Sequence, residues 1–385
     1  MSRKCHPQTL ASNAGVGTNS EFQAIAPPLY LGVNYRWNRS DEKPQYDYGR
    51  SGNPTRATLE CALADLEGAA GCAVTASGMA AIHLVLCLLQ PGDTIIAPHD
   101  CYGGTQRLLN AYAQNGRLKV DFVDQTNLSA VEAALAKGAK MLFLETPSNP
   151  LLRITDITAC TALAAKTNTL VVADNTFLSP ALQNPLALGC DIVVHSTTKL
   201  INGHSDVIGG AVLAKTTELA EQLAWWANTT GVTGAPFDSY QTLRGLRTLF
   251  ARVQQQQHSA GEFVEALLGR PEIKRIHYPG LPTHPGHEIA KQQQQGFGSM
   301  LSVEFADQVN VIEVLAQLRV FTIAESLGGF ESLVCIPATM THAAMPPEAR
   351  QKAGISDRLV RFSIGLEHVD DLIHDLFGAL DGALA

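Results

Sequence analysis

Two periods alternate along the chain. Short, almost uninterrupted apolar runs recur in its first half: "CAVTAS", "DTIIAP", "KVDFVD", "KMLFLETP", "TLVVADN" and "DIVVHST". Such runs, bounded by polar or turn residues, predict strands buried on both faces. Between them the spacing becomes helical. "NPTRATLECALADLEG" places Leu59, Leu63 and Leu66 on one face, with Thr55 as the expected cap. "GMAAIHLVLCLL", "GGTQRLLNAYAQNG" and "SAVEAALAKG" predict further helices. Strands alternating with helices in this way predict βα units and a mostly parallel sheet covered by helices.

The rhythm changes after a helical stretch at 239–268. "GSMLSVEF" and "RLVRFSIGL" predict strands of a second, smaller sheet. "HVDDLIHDLFGALDGAL" predicts a closing amphipathic helix with Leu372, Ile373, Leu376, Phe377 and Leu380 on its apolar face. Residues 1–55 are irregular and rich in Pro, Gly, Asn and Tyr, which predicts an arm that packs on something other than its own core. The expected organisation is an arm over 1–55, a large α/β unit over 56–250 and a smaller α/β unit over 251–385. The glutamine runs at 254–257 and 292–295 read as solvated faces. His284, His287 and Glu288 lie in "THPGHE", which reads as a loop with no helix to aim metal ligands.

Composition narrows the function classes. With 45% hydrophobic and 17% charged residues, the 385-residue chain is globular. A net charge of −8 without a basic stripe excludes a nucleic-acid binder. Eight scattered cysteines without a Cys-x-x-Cys pair suit reduced thiols in a cytoplasmic protein. The N-terminus lacks the apolar core of a signal peptide, and no apolar run reaches transmembrane length.

Ligands of parallel α/β sheets sit beyond the carboxyl ends of the strands, and four ends here carry chemistry. "TASGMAA" puts Ser77, Gly78 and Met79 at a helix start, where backbone N–H groups favour an anion. "VVADNT" ends in Asp174, an acid that needs a cationic partner if buried. "HSTTK" brings Ser196, Thr198 and Lys199, and "HDCYGG" brings Tyr102. Pyridoxal 5'-phosphate (PLP) needs such a set: a lysine for its aldehyde, an acid for its ring nitrogen, a flat partner for its ring, and N–H groups and hydroxyls for its phosphate. A rival nicotinamide-binding reading lacks its G-x-G-x-x-G fingerprint.

The chain resembles the Cys/Met-metabolism family of PLP enzymes nearly end to end. "YDYGRSGNPTR", "TASGMAAIH", "PHDCYGGT", "ETPSNPLL", "HSTTKLINGHSD" and "SYQTLRGLRTL" carry the resemblance. It implies a fold-type I, aminotransferase-like architecture and a homotetramer with active sites shared across a dimer. It implies that Lys199 holds the cofactor aldehyde, Asp174 its ring nitrogen and Tyr102 its ring face. Gly78, Met79, Ser196 and Thr198 are implied phosphate contacts, joined by Tyr48 and Arg50 from the neighbouring subunit. Arg361 is implied to clamp the α-carboxylate of an amino-acid substrate, with Ser326 beside it. His204 and Asp206 are expected to brace the lysine loop.

"AWWANTTGVTGAPFDSY" and "FTIAESLGGFESL" point to members that exchange a substituent at Cγ of a homoserine ester for cysteine. Glu325 matches the acidic residue of members acting at Cγ and is expected to attract the cysteine ammonium. Elimination at Cγ or Cβ, and sulfhydrylation, use the same cofactor residues. Ser51 stands where close relatives using a succinyl ester often carry a second arginine, which leaves Arg107 as the candidate for the distal carboxylate.

Overall fold

The protein is described from a computed structural model, which covers residues 5–19, 21–343, 345 and 347–384. A short helix α1 (Pro7–Ser12) and an extended arm lead to α2 (Pro54–Glu67). Then follow β1 (Gly71–Thr75), α3 (Gly78–Leu86), β2 (Thr94–Pro98), α4 (Gly103–Gln114), β3 (Lys119–Val123), α5 (Leu128–Leu135) and β4 (Met141–Glu145). The large unit continues through α6 (Ile157–Ala165), β5 (Leu170–Asp174), α7 (Ser179–Leu182), β6 (Ile192–His195), β7 (Gly210–Ala214), α8 (Thr217–Thr230) and α9 (Pro236–Leu246). Helix α10 (Leu249–Leu267) leads to β8 (Ile273–His277), α11 (His287–Gln293), β9 (Met300–Phe305), α12 (Val311–Gln317) and β10 (Thr322–Ile323). β11 (Leu333–Cys335), α13 (Pro347–Ala353), β12 (Leu359–Ser363) and α14 (Val369–Leu384) complete the chain.

The seven-stranded sheet has the order β1-β7-β6-β5-β4-β2-β3. β2 to β6 run parallel, while β7 is antiparallel to both its neighbours, β6 and β1. The apolar runs of β2, β4, β5 and β6 reflect burial on both faces, whereas β1 and β3, expected to be buried likewise, are the edge strands and are partly exposed. On β4, Met141 and Phe143 enter the core beneath α3, α4 and α8, while Leu142 and Leu144 enter the core beneath α5 and α6. Each such side chain contributes about 1.5–3 kcal/mol relative to exposure. The five-stranded sheet, β10-β11-β12-β9-β8, is antiparallel except at β10 and β11. Helices α10 and α14 pack on it through Phe263, Leu372 and Leu376.

Several expectations are corrected. Asn53, not Thr55, caps α2: its side chain accepts from the N–H groups of Thr55 and Arg56, because Pro54 starts the helix two residues earlier than expected. The Thr55 hydroxyl instead ties the arm, donating to the Pro28 carbonyl and accepting from Tyr30 N–H. The stretch 239–268 is two helices, since Thr248 leaves helical geometry. The glutamine runs are not uniformly solvated. Gln256 is buried and donates to the Gly329 carbonyl at 2.6 Å. Gln293 satisfies both Thr155 C=O and Ile157 N–H, as an amide with a donor and an acceptor does. His287 and Glu288 open helix α11 rather than lying in a loop, and His287 donates from Nδ1 to the Pro279 carbonyl.

The arm divides in two. Ala11 and Ala14 pack into the core of their own chain with Leu59 and Leu63, and Arg247 donates to the Ala14 carbonyl. Beyond them Phe22, Ile25, Leu31 and Val33 are 75%, 74%, 63% and 61% exposed.

Candidate active site

A cavity of about 840 Å³ opens where the parallel strands end and the small unit faces them. Every expected site residue lines it except Tyr48 and Arg50. Those two lie outside it on the exposed arm. The Arg50 guanidinium sits 5.7 Å from the Tyr48 ring centroid and donates to the Asn228 carbonyl.

Lys199 follows β6 in a loop braced from within. Thr198 Oγ1 donates to the Gly209 carbonyl (3.1 Å) and accepts from Gly209 N–H (3.0 Å). Asn202 donates to Asp206 at 2.8 Å, and His204 donates to the Asn202 carbonyl, which keeps the far turn of the loop closed. Lys199 Nζ donates to Ser326 Oγ at 2.8 Å. Burial lowers the pKa of this amine to about 8, helped by the positive Arg361 and opposed by Glu325. An amine of this kind has a larger neutral, nucleophilic fraction near neutral pH than an ordinary lysine.

Asp174 ends β5 on the cavity floor. Burial raises its pKa, and the opposing influences are Thr176, whose N–H donates to Oδ1 at 3.0 Å, and His195. No lysine or arginine pairs with Asp174 among the described residues, so the site offers a half-buried acid in want of a cation. His195 itself is fully buried, 2.6 Å from Glu67 of α2.

Ser77 caps α3, accepting from Ala80 N–H at 3.0 Å. As at any helix start, the N–H groups of Gly78 and Met79 have no intrahelical acceptor. A Cβ at Gly78 would lie 2.7 Å from Ser196 Cβ, so only glycine lets α3 approach the lysine loop this closely. A Cβ at Gly104 would likewise sit 2.5 Å from the Tyr102 ring. Tyr102 stands at the start of α4, partly exposed towards the cavity.

Arg361 comes from the middle of β12 and is 3% exposed. It donates to Asn149 Oδ1 (2.9 Å) and to the Ser326 carbonyl (2.8 Å). Ser326 takes φ +87°, a left-handed conformation, and is therefore held on its carbonyl by Arg361 and on its hydroxyl by Lys199. Glu325 and Arg107 are exposed at the rim.

Sequence reasoning missed Glu145 and Asn149, although both lie in the quoted "ETPSNPLL". Glu145 ends β4 directly beside Asp174 in register. Its available signal was a carboxylate at the end of a parallel strand, the same signal that singled out Asp174.

Fold and cavity together define a PLP-dependent enzyme of fold type I. The chain belongs to the Cys/Met metabolism PLP-dependent enzyme family, whose profile matches residues 8–381. It is 50% identical to the cystathionine gamma-synthase of Escherichia coli (strain K12) over 98% of this chain and 97% of that protein. It is 42% identical to the cystathionine beta-lyase of Lactococcus lactis subsp. cremoris (strain MG1363) over 97% and 98%. The crystal structure of cystathionine gamma synthase from Xanthomonas oryzae pv. oryzae, in complex with aminoacrylate and cysteine, superposes with a TM-score of 0.97 at 52% identity, covering 99% of each chain. The protein is thus a trans-sulfuration enzyme acting on carbon–sulfur bonds.

Proposed function

We propose that the protein is a cystathionine γ-synthase. It joins an O-acyl-L-homoserine, O-succinyl-L-homoserine first among them, to L-cysteine, giving L-cystathionine for methionine biosynthesis. The observation that carries this reading is the exposed Glu325 carboxylate at the rim of a cavity holding Lys199 and Arg361. The likeness to two γ-synthases at 50% and 52%, against 42–45% for β-lyases, supports it.

The residues present fit PLP. Lys199 is a half-buried amine of lowered pKa, Asp174 a half-buried acid with no cation paired to it among the described residues, and Gly78 leaves a close-packed turn at a helix start. Lys199 would hold the aldehyde carbon, Asp174 the protonated ring nitrogen and Tyr102 the ring face. Gly78, Met79, Ser196 and Thr198 would hold the phosphate, with Tyr48 and Arg50 of an adjacent subunit. When bound, PLP supplies an electron sink that makes protons at the substrate's Cα, and then Cβ, removable. Arg361 and Asn149 hold the α-carboxylate, which fixes the reacting carbons over Lys199. Lys199, released as a free amine, moves the proton at Cα and then at Cβ, and Ser326 Oγ keeps its nitrogen in place. Glu325 attracts the ammonium of the incoming cysteine, and Arg107 the distal succinyl carboxylate. In net, the Cγ–O bond breaks with its electron pair leaving on the acid, a Cγ–S bond forms, and the thiol proton departs with the released acid.

The proposal extends to a homotetramer built from dimers that share active sites, working in the cytoplasm. Two features support the sharing: Tyr48 and Arg50 do not reach the cavity of their own chain, and the arm exposes Phe22, Ile25, Leu31 and Val33. No helix among the described residues is long and apolar enough to cross a membrane. The boundary between the units, drawn near residue 250, falls in the first turn of α10, whose Val253 and Phe263 enter different cores.

The test is to assay succinyl, acetyl and phosphoryl homoserine esters with cysteine, alongside cleavage of cystathionine. Condensation of the succinyl ester is expected to be fastest. Faster elimination from cystathionine would replace the proposal with a lyase.

A further inference from the structure

We propose that Glu145 is a positioning residue that sets the Tyr102 ring and the Arg361 clamp in a common frame. This rests on the reading of Tyr102 as the cofactor's ring partner and Arg361 as the carboxylate clamp. Glu145 is the last residue of β4, buried at 6% exposure, and neither its place in the sheet nor its burial requires an acid there. Its two carboxylate oxygens hold two different loops. Oε2 accepts from Tyr102 N–H at 2.8 Å, at the start of α4. Oε1 accepts from Asn149 N–H at 3.3 Å, and Asn149 Oδ1 accepts from Arg361 at 2.9 Å.

The hydrogen-bonded path from Tyr102 therefore runs through Glu145 and Asn149 to Arg361. It continues through the Ser326 carbonyl and hydroxyl to Lys199. One side chain of the large unit thereby links the groups facing the cofactor to those facing the substrate. Placing an acid here is costly. Glu145 lies in register with Asp174, and burial and that neighbouring carboxylate hold its pKa well above the usual range. A glutamine would avoid the like-charge contact but provides one acceptor oxygen where two N–H groups converge. The need for two acceptors accounts for an acid at a position where charge is unfavourable.

The experiment compares wild-type protein with Glu145→Ala and Glu145→Gln, each stripped of PLP and reloaded. It measures the PLP dissociation constant, the circular dichroism of the bound cofactor in its visible band, and KM and kcat for the homoserine ester. Glu145→Ala removes both acceptors and is expected to weaken PLP binding and raise the ester KM, each by about tenfold or more, with altered cofactor dichroism. Glu145→Gln retains one acceptor and is expected to worsen one of the two by roughly threefold or more while unfolding at the wild-type temperature. If Glu145→Ala changes only thermal stability, with both constants within about twofold of wild type, the inference is wrong. Should Glu145→Ala not fold, an unchanged pair of constants in Glu145→Gln overturns it equally. Arg361→Lys separates the two readings: it is expected to raise the ester KM and leave PLP binding alone. An unchanged KM there removes the clamp, and the Tyr102 half of the inference is still decided by PLP affinity and dichroism.

Discussion

The two sheets deliver their side chains to the cavity in different ways. The parallel sheet offers strand ends: Glu145 and Asp174 close β4 and β5 in register, and the lysine loop leaves the adjacent β6 after His195. The antiparallel sheet has no common end on the cavity side. It reaches in with Arg361 from mid-strand and with the turn carrying Glu325 and Ser326. The groups suited to PLP are thus clustered on the large unit, whereas those suited to choosing a substrate are divided: Arg361, Ser326 and Glu325 come from the small unit, and Asn149 and the rim residue Arg107 from the large one. A change in reaction preference needs only the small unit and the rim to change.

Four substitutions or measurements test that division. Lys199→Ala belongs to the large unit and is expected to have the largest effect, lowering turnover at least about a thousandfold. It should also abolish the visible absorbance of lysine-linked PLP while far-ultraviolet dichroism stays as in wild type. A variant that kept colour and activity would remove Lys199 from the chemistry. Arg361→Ala comes next, raising the ester KM roughly 30- to 100-fold through loss of a charge-assisted pair, with PLP affinity unchanged. If PLP affinity falls equally, the division between the sheets does not hold.

Glu325→Ala should lower kcat/KM for cysteine by about one to two decades, the loss of a charged hydrogen bond, and leave the absorbance of bound PLP intact. Unchanged cysteine kinetics would make Glu325 a bystander. The smallest effect is on proton affinity. The rate at which PLP-free protein takes up PLP should rise with pH through a midpoint near 8, where Lys199 loses its proton, instead of near the ordinary lysine value of 10.5. Arg361→Ala should move that midpoint upward, because a neighbouring positive charge no longer disfavours protonation. The same depression has a sign for stability. Between about 8 and 10.5 the unfolded chain binds this proton and the folded one does not, so the stability of PLP-free protein rises with pH across that window.

What the sequence disclosed depends on how far each signal is local. β2, β4, β5 and β6 were legible because both faces are buried and the apolar run is unbroken. Asp174 was legible because a charge closing such a run is unusual, and Lys199 because it stands alone among small hydroxyls after a strand and joins the groups at neighbouring strand ends. β10, two residues long, and β11, three, carry no periodicity to read, and their placement comes from β12. Gln256 resembled a solvated glutamine because its partner, the Gly329 carbonyl, lies 73 residues away. Glu145 ends an apolar run as Asp174 does, but its significance lies in two backbone N–H groups that only the folded loops bring together. The N-terminal arm was legible as an arm, whereas the packing of Ala11 and Ala14 on their own chain was not.

The antiparallel strand β7 has a mechanical meaning. A lysine at the end of a parallel strand ordinarily begins a crossover, with its far end free to shift along with a helix. Here the chain leaves β6 at His195 and returns beside it, with His195 paired to Ala211 and Thr198 bonded to Gly209. Both ends of the loop are clamped to the same sheet edge, so the backbone beneath Lys199 behaves as an anchored pivot. In the role proposed for Lys199, moving between the cofactor and the substrate carbons would require a swing of its methylene stem over a backbone held at both ends.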